Sequence, residues 1–143
     1  MIKLIDSHAH YDDDAFDADR HELLTRLFET SVEKIVEIGC SVEEAKRAVK
    51  MTEQYEQLYC AVGVHPEYCE NLPSDYINTL RELSKAPKVV AIGEIGLDYH
   101  YEGYNREKQI EVFCELIELA QEIVKPIIVH SRVASHVCLV VLR

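Results

Sequence analysis

Short apolar runs rich in valine and isoleucine recur along this chain, each followed by a longer segment with apolar residues at helical spacing. That alternation constrains the fold more than any other feature, because strands separated by helices pair in parallel within one sheet. The spacing predicts strands near Ile2 to Ile5, Lys34 to Ile38, Leu58 to Val64, Lys88 to Ile92 and Ile127 to Val129. Between them, Leu23, Leu24, Leu27 and Phe28 share one face of a helix running from Asp19 to Thr30. Ser41-Val42-Glu43-Glu44 reads as a capping-box start to the next helix, and a third carries Ile77, Leu80 and Leu83. From Arg106 to Val124, Ile110, Phe113, Ile117, Ala120 and Val124 recur at three- and four-residue steps and predict one buried stripe. The reading is a single α/β domain over residues 1–143, with five strands at most.

Composition narrows the class of protein. With 48% hydrophobic and 29% charged residues, 143 residues are enough to bury a core. The apolar stretches, such as Ile123 to Val129 with Lys125 and Pro126 inside it, are too short to span a bilayer. Met1-Ile2-Lys3-Leu4-Ile5 runs into Asp6 without the apolar region of a secretory signal, so a cytoplasmic location is expected. Five scattered cysteines with no C-x-x-C pair predict reduced thiols. A net charge of -11 repels phosphate backbones and weighs against nucleic-acid binding through a broad basic surface. Were the substrate a phosphodiester, bound cations would have to supply much of the local positive charge.

Three segments carry side chains suited to metal chemistry. Asp6-Ser7-His8-Ala9-His10 follows the first apolar run, and residues two apart on extended backbone face the same way, so His8 and His10 can offer two imidazoles to one ion. Ala91-Ile92-Gly93-Glu94-Ile95-Gly96-Leu97-Asp98-Tyr99 brackets a carboxylate with glycines, and the two oxygens of Glu94 can bridge two cations. Pro126-Ile127-Ile128-Val129-His130-Ser131-Arg132 puts His130 at the end of an apolar strand, followed by an arginine able to clamp an anionic oxygen. Each segment alone also has a plain reading: a chance H-x-H pair, a solvated acid in a glycine loop, a buried histidine bonded to backbone. Together they count for more, because strand ends converge at one face of a β/α barrel. His65, in Gly63-Val64-His65-Pro66, is a further candidate for contacting substrate. The pair Tyr99 and Tyr101 could stack on a base or simply pack. Neither a P-loop nor a G-x-G-x-x-G fingerprint is present, and Ser131 lacks a nucleophile elbow.

In this order, with Arg106-Glu107-Lys108-Gln109 opening the long helix, these motifs resemble the TatD family of metal-dependent deoxyribonucleases, part of the amidohydrolase-like barrel superfamily. The resemblance implies an incomplete (β/α)8 TIM barrel, about its first five strands with their helices, since a complete one takes about 250 residues. It implies two divalent ions, zinc, manganese or magnesium. His8 and His10 would bind one ion, Glu94 would bridge both and His130 would serve the second, while His65 and Arg132 would position substrate. It implies hydrolysis of DNA phosphodiester bonds by metal-activated water. Residues 133–143 diverge from the family pattern, and a histidine and an aspartate that the family takes from later strands are missing. The alternatives are a catalytically inactive truncated fragment, or an amidohydrolase-type enzyme acting on a small amide or ester. An open sheet edge after the fifth strand predicts self-association.

Overall fold

A computed structural model describes residues 2–143. Five strands form one parallel sheet in sequential order: β1 (Leu4–Ala9), β2 (Val32–Gly39), β3 (Leu58–Val62), β4 (Val89–Asp98) and β5 (Ile127–Arg132). Between and after them lie α1 (Arg20–Phe28), α2 (Val42–Thr52), α3 (Tyr76–Leu83), α4 (Arg106–Glu122) and α5 (Ser135–Val141), with short 3-10 turns at Asp14–Phe16 and Pro66–Asn71. Right-handed crossovers between sequential parallel strands put the connecting helices on one face of the sheet, the arrangement from which a barrel closes. No helix among the described residues is long and apolar enough to cross a membrane.

The main core lies between that face and the helices. Cys60, Val62, Ile92, Ile95 and Leu97 of the sheet meet Ala45 and Ala48 of α2, Leu80 of α3, and Phe113 and Leu116 of α4. A smaller cluster under α1 joins Ala9, Leu24, Ile35, Met51 and Leu58. The opposite face has its own apolar group of strand residues, Ile38, Ala61 and Ala91, with Val36, Cys40 and Ile128 against them. Alternation does the sorting: Ala9 points to the helices, so His8 and His10 face the other way. The same rule puts His130 on the face of Ile128.

Three sequence expectations shift. β1 begins at Leu4 rather than Ile2, and it extends through His8. β4 does not stop at Ile92 but continues to Asp98, so Glu94 lies within a strand rather than beyond its end. Its glycines permit this, since a Cβ on Gly93 would stand 2.6 Å from the Ile128 Cβ, and one on Gly96, where φ is +146°, would stand 2.0 Å from the His130 carbonyl oxygen. Finally, α4 buries Val112, Phe113, Leu116, Leu119 and Ala120 most deeply, while Val124 lies past the helix end and is exposed. The strands at the two sheet edges, β1 and β5, expose Leu4, Ile5 and Val129.

Candidate metal centre

Glu94 stands where β4 departs from regular pairing. Ile92 pairs with Ile127 and Ile95 with Val129, so three steps along β4 match two along β5, and the extra residue turns the Glu94 side chain onto the face of His130. Its carboxylate reaches two histidines from different strands. Glu94 Oε2 lies 3.5 Å from His8 Nε2, and Glu94 Oε1 lies 3.1 Å from His130 Nδ1. His10 completes the first group: ligand atoms of His8, His10 and Glu94 all fall within 4.8 Å of one another. The His8 amide is fixed by Asp6 Oδ1, which accepts it at 3.1 Å.

A second group, His65, Asp98 and His130, adjoins the first through His130. Its hydrogen bonds assign the protons. The Glu67 amide donates to His65 Nδ1 at 3.2 Å, so Nε2 of His65 carries the hydrogen and donates to His130 Nδ1 at 3.1 Å. His130 must then be protonated at Nε2, which lies 3.0 Å from Asp98 Oδ2. This is the carboxylate–histidine pairing that fixes the tautomer and aims the other ring nitrogen of a metal ligand. Asp98 is itself latched by α4: the buried Gln109 side chain accepts the Asp98 amide at 3.0 Å and donates to its carbonyl at 3.1 Å.

Electrostatics follow from this wiring. Burial foremost, then the neighbouring His130, pushes His65 down to about 4, so it is neutral at pH 7. Burial alone would raise Asp98, but hydrogen bonds from the His100 amide and from His130 outweigh it and hold the carboxyl below its ordinary value.

These residues fit a divalent cation. With the tautomers above, His130 Nδ1 and Glu94 Oε1 are both acceptors and face each other at 3.1 Å without a hydrogen between them. Such a contact is repulsive unless positive charge lies beside it. The separations also suit shared coordination: ligand bonds of about 2.1 Å place neighbouring ligand atoms roughly 3.0–3.4 Å apart in octahedral or tetrahedral geometry. Imidazole and carboxylate together match zinc or manganese better than calcium.

Among the other sequence candidates, His65 is buried against His130, their ring centroids 4.2 Å apart. Arg132 stands at the end of β5 with its guanidinium 5.0 Å from the Tyr101 ring centre, donating to the Tyr101 hydroxyl at 3.2 Å. Tyr99 packs under Arg106, 4.5 Å from ring centre to guanidinium carbon. Two acids near the site escaped the sequence reading. Asp98 closes the glycine-flanked β4 segment, and Glu37 is the lone acid inside the apolar half of β2, which is a legible signal.

A family model described as TatD related DNase matches residues 5–143. An uncharacterized metal-dependent hydrolase, YabD of Bacillus subtilis, is 39% identical over 140 residues, covering 98% of this chain and 55% of the relative. The 3'-5' ssDNA/RNA exonuclease TatD of Cronobacter turicensis is 33% identical over 117 residues, 82% of this chain and 44% of its own length. The crystal structure of YjjV, a TatD homologue from Escherichia coli, superposes with a TM-score of 0.87 at 32% identity, over 94% of this chain and 53% of that one. The chain thus spans about half the length of the curated relatives it matches. Its five parallel strands and helices are the part-barrel that the sequence implied.

Proposed function

Because this chain belongs to the TatD related DNase family of metal-dependent hydrolases, we propose that it serves the hydrolysis of phosphodiester bonds in single-stranded DNA, with two divalent cations at His8, His10, Glu94 and His130. The observation that carries this reading is the Glu94 carboxylate, one oxygen toward His8 and the other toward the acceptor nitrogen of His130. A carboxylate so placed would join two cation positions, and paired cations are the means by which many phosphoesterases act. When bound, they would lower the pKa of water and stabilise negative charge developing on the phosphoryl group.

The chain's own side chains do the holding and aiming. His8 and His10, on one face of β1 and its exit, would present two imidazoles to one position. His130 is oriented by Asp98 and would present Nδ1 to the other. His65, neutral and buried, packs edge-on against His130 with ring centroids 4.2 Å apart and keeps that ring from turning, and its Nε2 hydrogen would give up the Nδ1 lone pair to a cation bound there. Supplying charge through cations also reconciles an acidic chain with a phosphate substrate. The name of the Cronobacter relative, an exonuclease of single-stranded DNA and RNA, favours this substrate class.

The test is cleavage of end-labelled single-stranded DNA by the purified chain with manganese, zinc or magnesium. Cleavage abolished by a chelator and reduced at least about 100-fold by Glu94→Ala is the expected result. Cleavage that persists in both conditions would refute the assignment. If a folded, metal-loaded chain leaves DNA and RNA intact but hydrolyses a small ester or amide, the metal centre stands and the substrate class is wrong.

A further inference from the structure

A cleft of about 400 Å³ opens beside the metal ligands. His10, His65 and Glu94 line one part of it, and Asp12, Arg47 and Tyr68 line another. That volume lies in the range of small-ligand sites, and among the described residues neither Arg47 nor Tyr68 hydrogen-bonds to the side chain of His8, His10, Glu94 or His130.

Arg47, on α2, is the one arginine or lysine side chain lining the cleft among the described residues. Its Nη2 meets Asp12 Oδ2 at 3.1 Å, yet the side chain is 54% exposed. A guanidinium has five N–H donors in a rigid fork, and among the described residues no other hydrogen bond engages this one. Asp12 is a firm anchor, because it is buried and its amide is held by Glu37 Oε1 at 2.9 Å. Arg47 is therefore fixed at one end and open at the other, which lowers the entropic cost of engaging an anion.

The rest of the cleft is hostile to anions. Asp13, Asp14, Glu44 and Glu67 also line it, so a phosphate away from the metal ligands finds opposite charge only at Arg47. Tyr68 offers a different contact. It is 47% exposed, and the Tyr68 amide donates to the His65 carbonyl at 2.9 Å, which ties the ring's backbone to the second histidine group. Half-exposed aromatic faces beside a phosphate-binding group are how single-stranded nucleic acids are held without sequence readout.

We propose that Arg47 and Tyr68 form a nucleotide subsite for single-stranded nucleic acid, Arg47 meeting a phosphate that flanks the one cleaved and Tyr68 stacking on a base. The subsite rests on the reading that the substrate is a nucleic acid. Arg47 and Tyr68 act here by binding substrate, so their loss weakens affinity while the metal ligands stay intact.

The experiment is fluorescence anisotropy of a labelled oligo(dT) with phosphorothioate linkages, which resist cleavage, titrated with the manganese-loaded chain at several salt concentrations. Arg47→Ala is expected to weaken binding about tenfold and to lower the slope of log K against log salt by about 0.7, the loss of one single-strand phosphate contact. Arg47→Lys retains the slope. Tyr68→Ala weakens binding about tenfold with the slope unchanged, and Tyr68→Phe binds as the parent chain does. Arg47→Ala and Tyr68→Ala variants that melt like the parent and bind with its affinity and slope would overturn the subsite while leaving the nucleic-acid reading in place. A parent chain that takes up manganese yet fails to bind oligo(dT) would overturn both.

Discussion

A carboxyl group lies fully buried at Glu37 of β2. Its Oε1 accepts the Asp12 amide, two residues beyond His10, and so steadies the segment by which the chain leaves β1 through His10. Its Oε2 has no partner among the described residues. Burial is the main reason its pKa rises to about 8, above the ordinary glutamate value of 4.5. Between those values the folded chain binds a proton that the unfolded chain releases, so stability falls as pH rises through the window. Glu37's contribution is complete below pH 4.5 and is lost as pH passes 8. Glu37→Gln stays neutral and keeps the acceptor. Thermal melts across pH 5–9 should therefore show the parent losing several degrees relative to this variant, and parallel curves would refute the buried neutral carboxyl. Asp98 gives a second test at this scale. Replacing it with asparagine keeps the shape but removes the charge that orients His130, and metal affinity measured by calorimetry should fall about 10- to 100-fold.

The end of α4 shows how an element stops. The Lys125 amide donates to the Ala120 carbonyl and the Val124 amide to that of Gln121, a Schellman closure with Val124 in the left-handed position. Val124 holds a φ of 56° there and is 88% exposed. A β-branched residue is strained in that conformation and loses no packing if removed. Val124→Gly is thus expected to stabilise the chain by about 1 kcal/mol in denaturant titrations. Inside the same helix the sign reverses, because Phe113 is buried against the sheet: Phe113→Ala should cost about 3–5 kcal/mol. Periodicity alone put Val124 in the buried stripe. Hydrophobic spacing continues past a helix end, whereas the terminus is set by backbone hydrogen bonds and by the Lys125-Pro126 that follows. β4 was underread for a related reason. Glycines at 93 and 96 look like a loop in sequence, and only the close passage of β5 explains why a strand needs them.

Across the whole molecule, the parallel order of strands was legible because alternating strand and helix patterns leave few topologies open. His8, His10, Glu94 and His130 were legible as candidates because each closes or interrupts an apolar run. Their shared location depends on strand pairing. The joining of His130 to His65 and Asp98 depends on side-chain contacts between segments far apart in sequence, and Arg47 carries no local signal on its helix. A cation that binds the folded chain alone adds stability through mass action. Manganese at 100 times its dissociation constant should add about 2.7 kcal/mol to the parent and nothing comparable to Glu94→Ala. The most direct measurement is anomalous diffraction from crystals of this chain grown with manganese. The account predicts density between His8, His10 and Glu94, and again between Glu94 and His130. Manganese bound only elsewhere, or absent from both positions at saturating concentration, would contradict it.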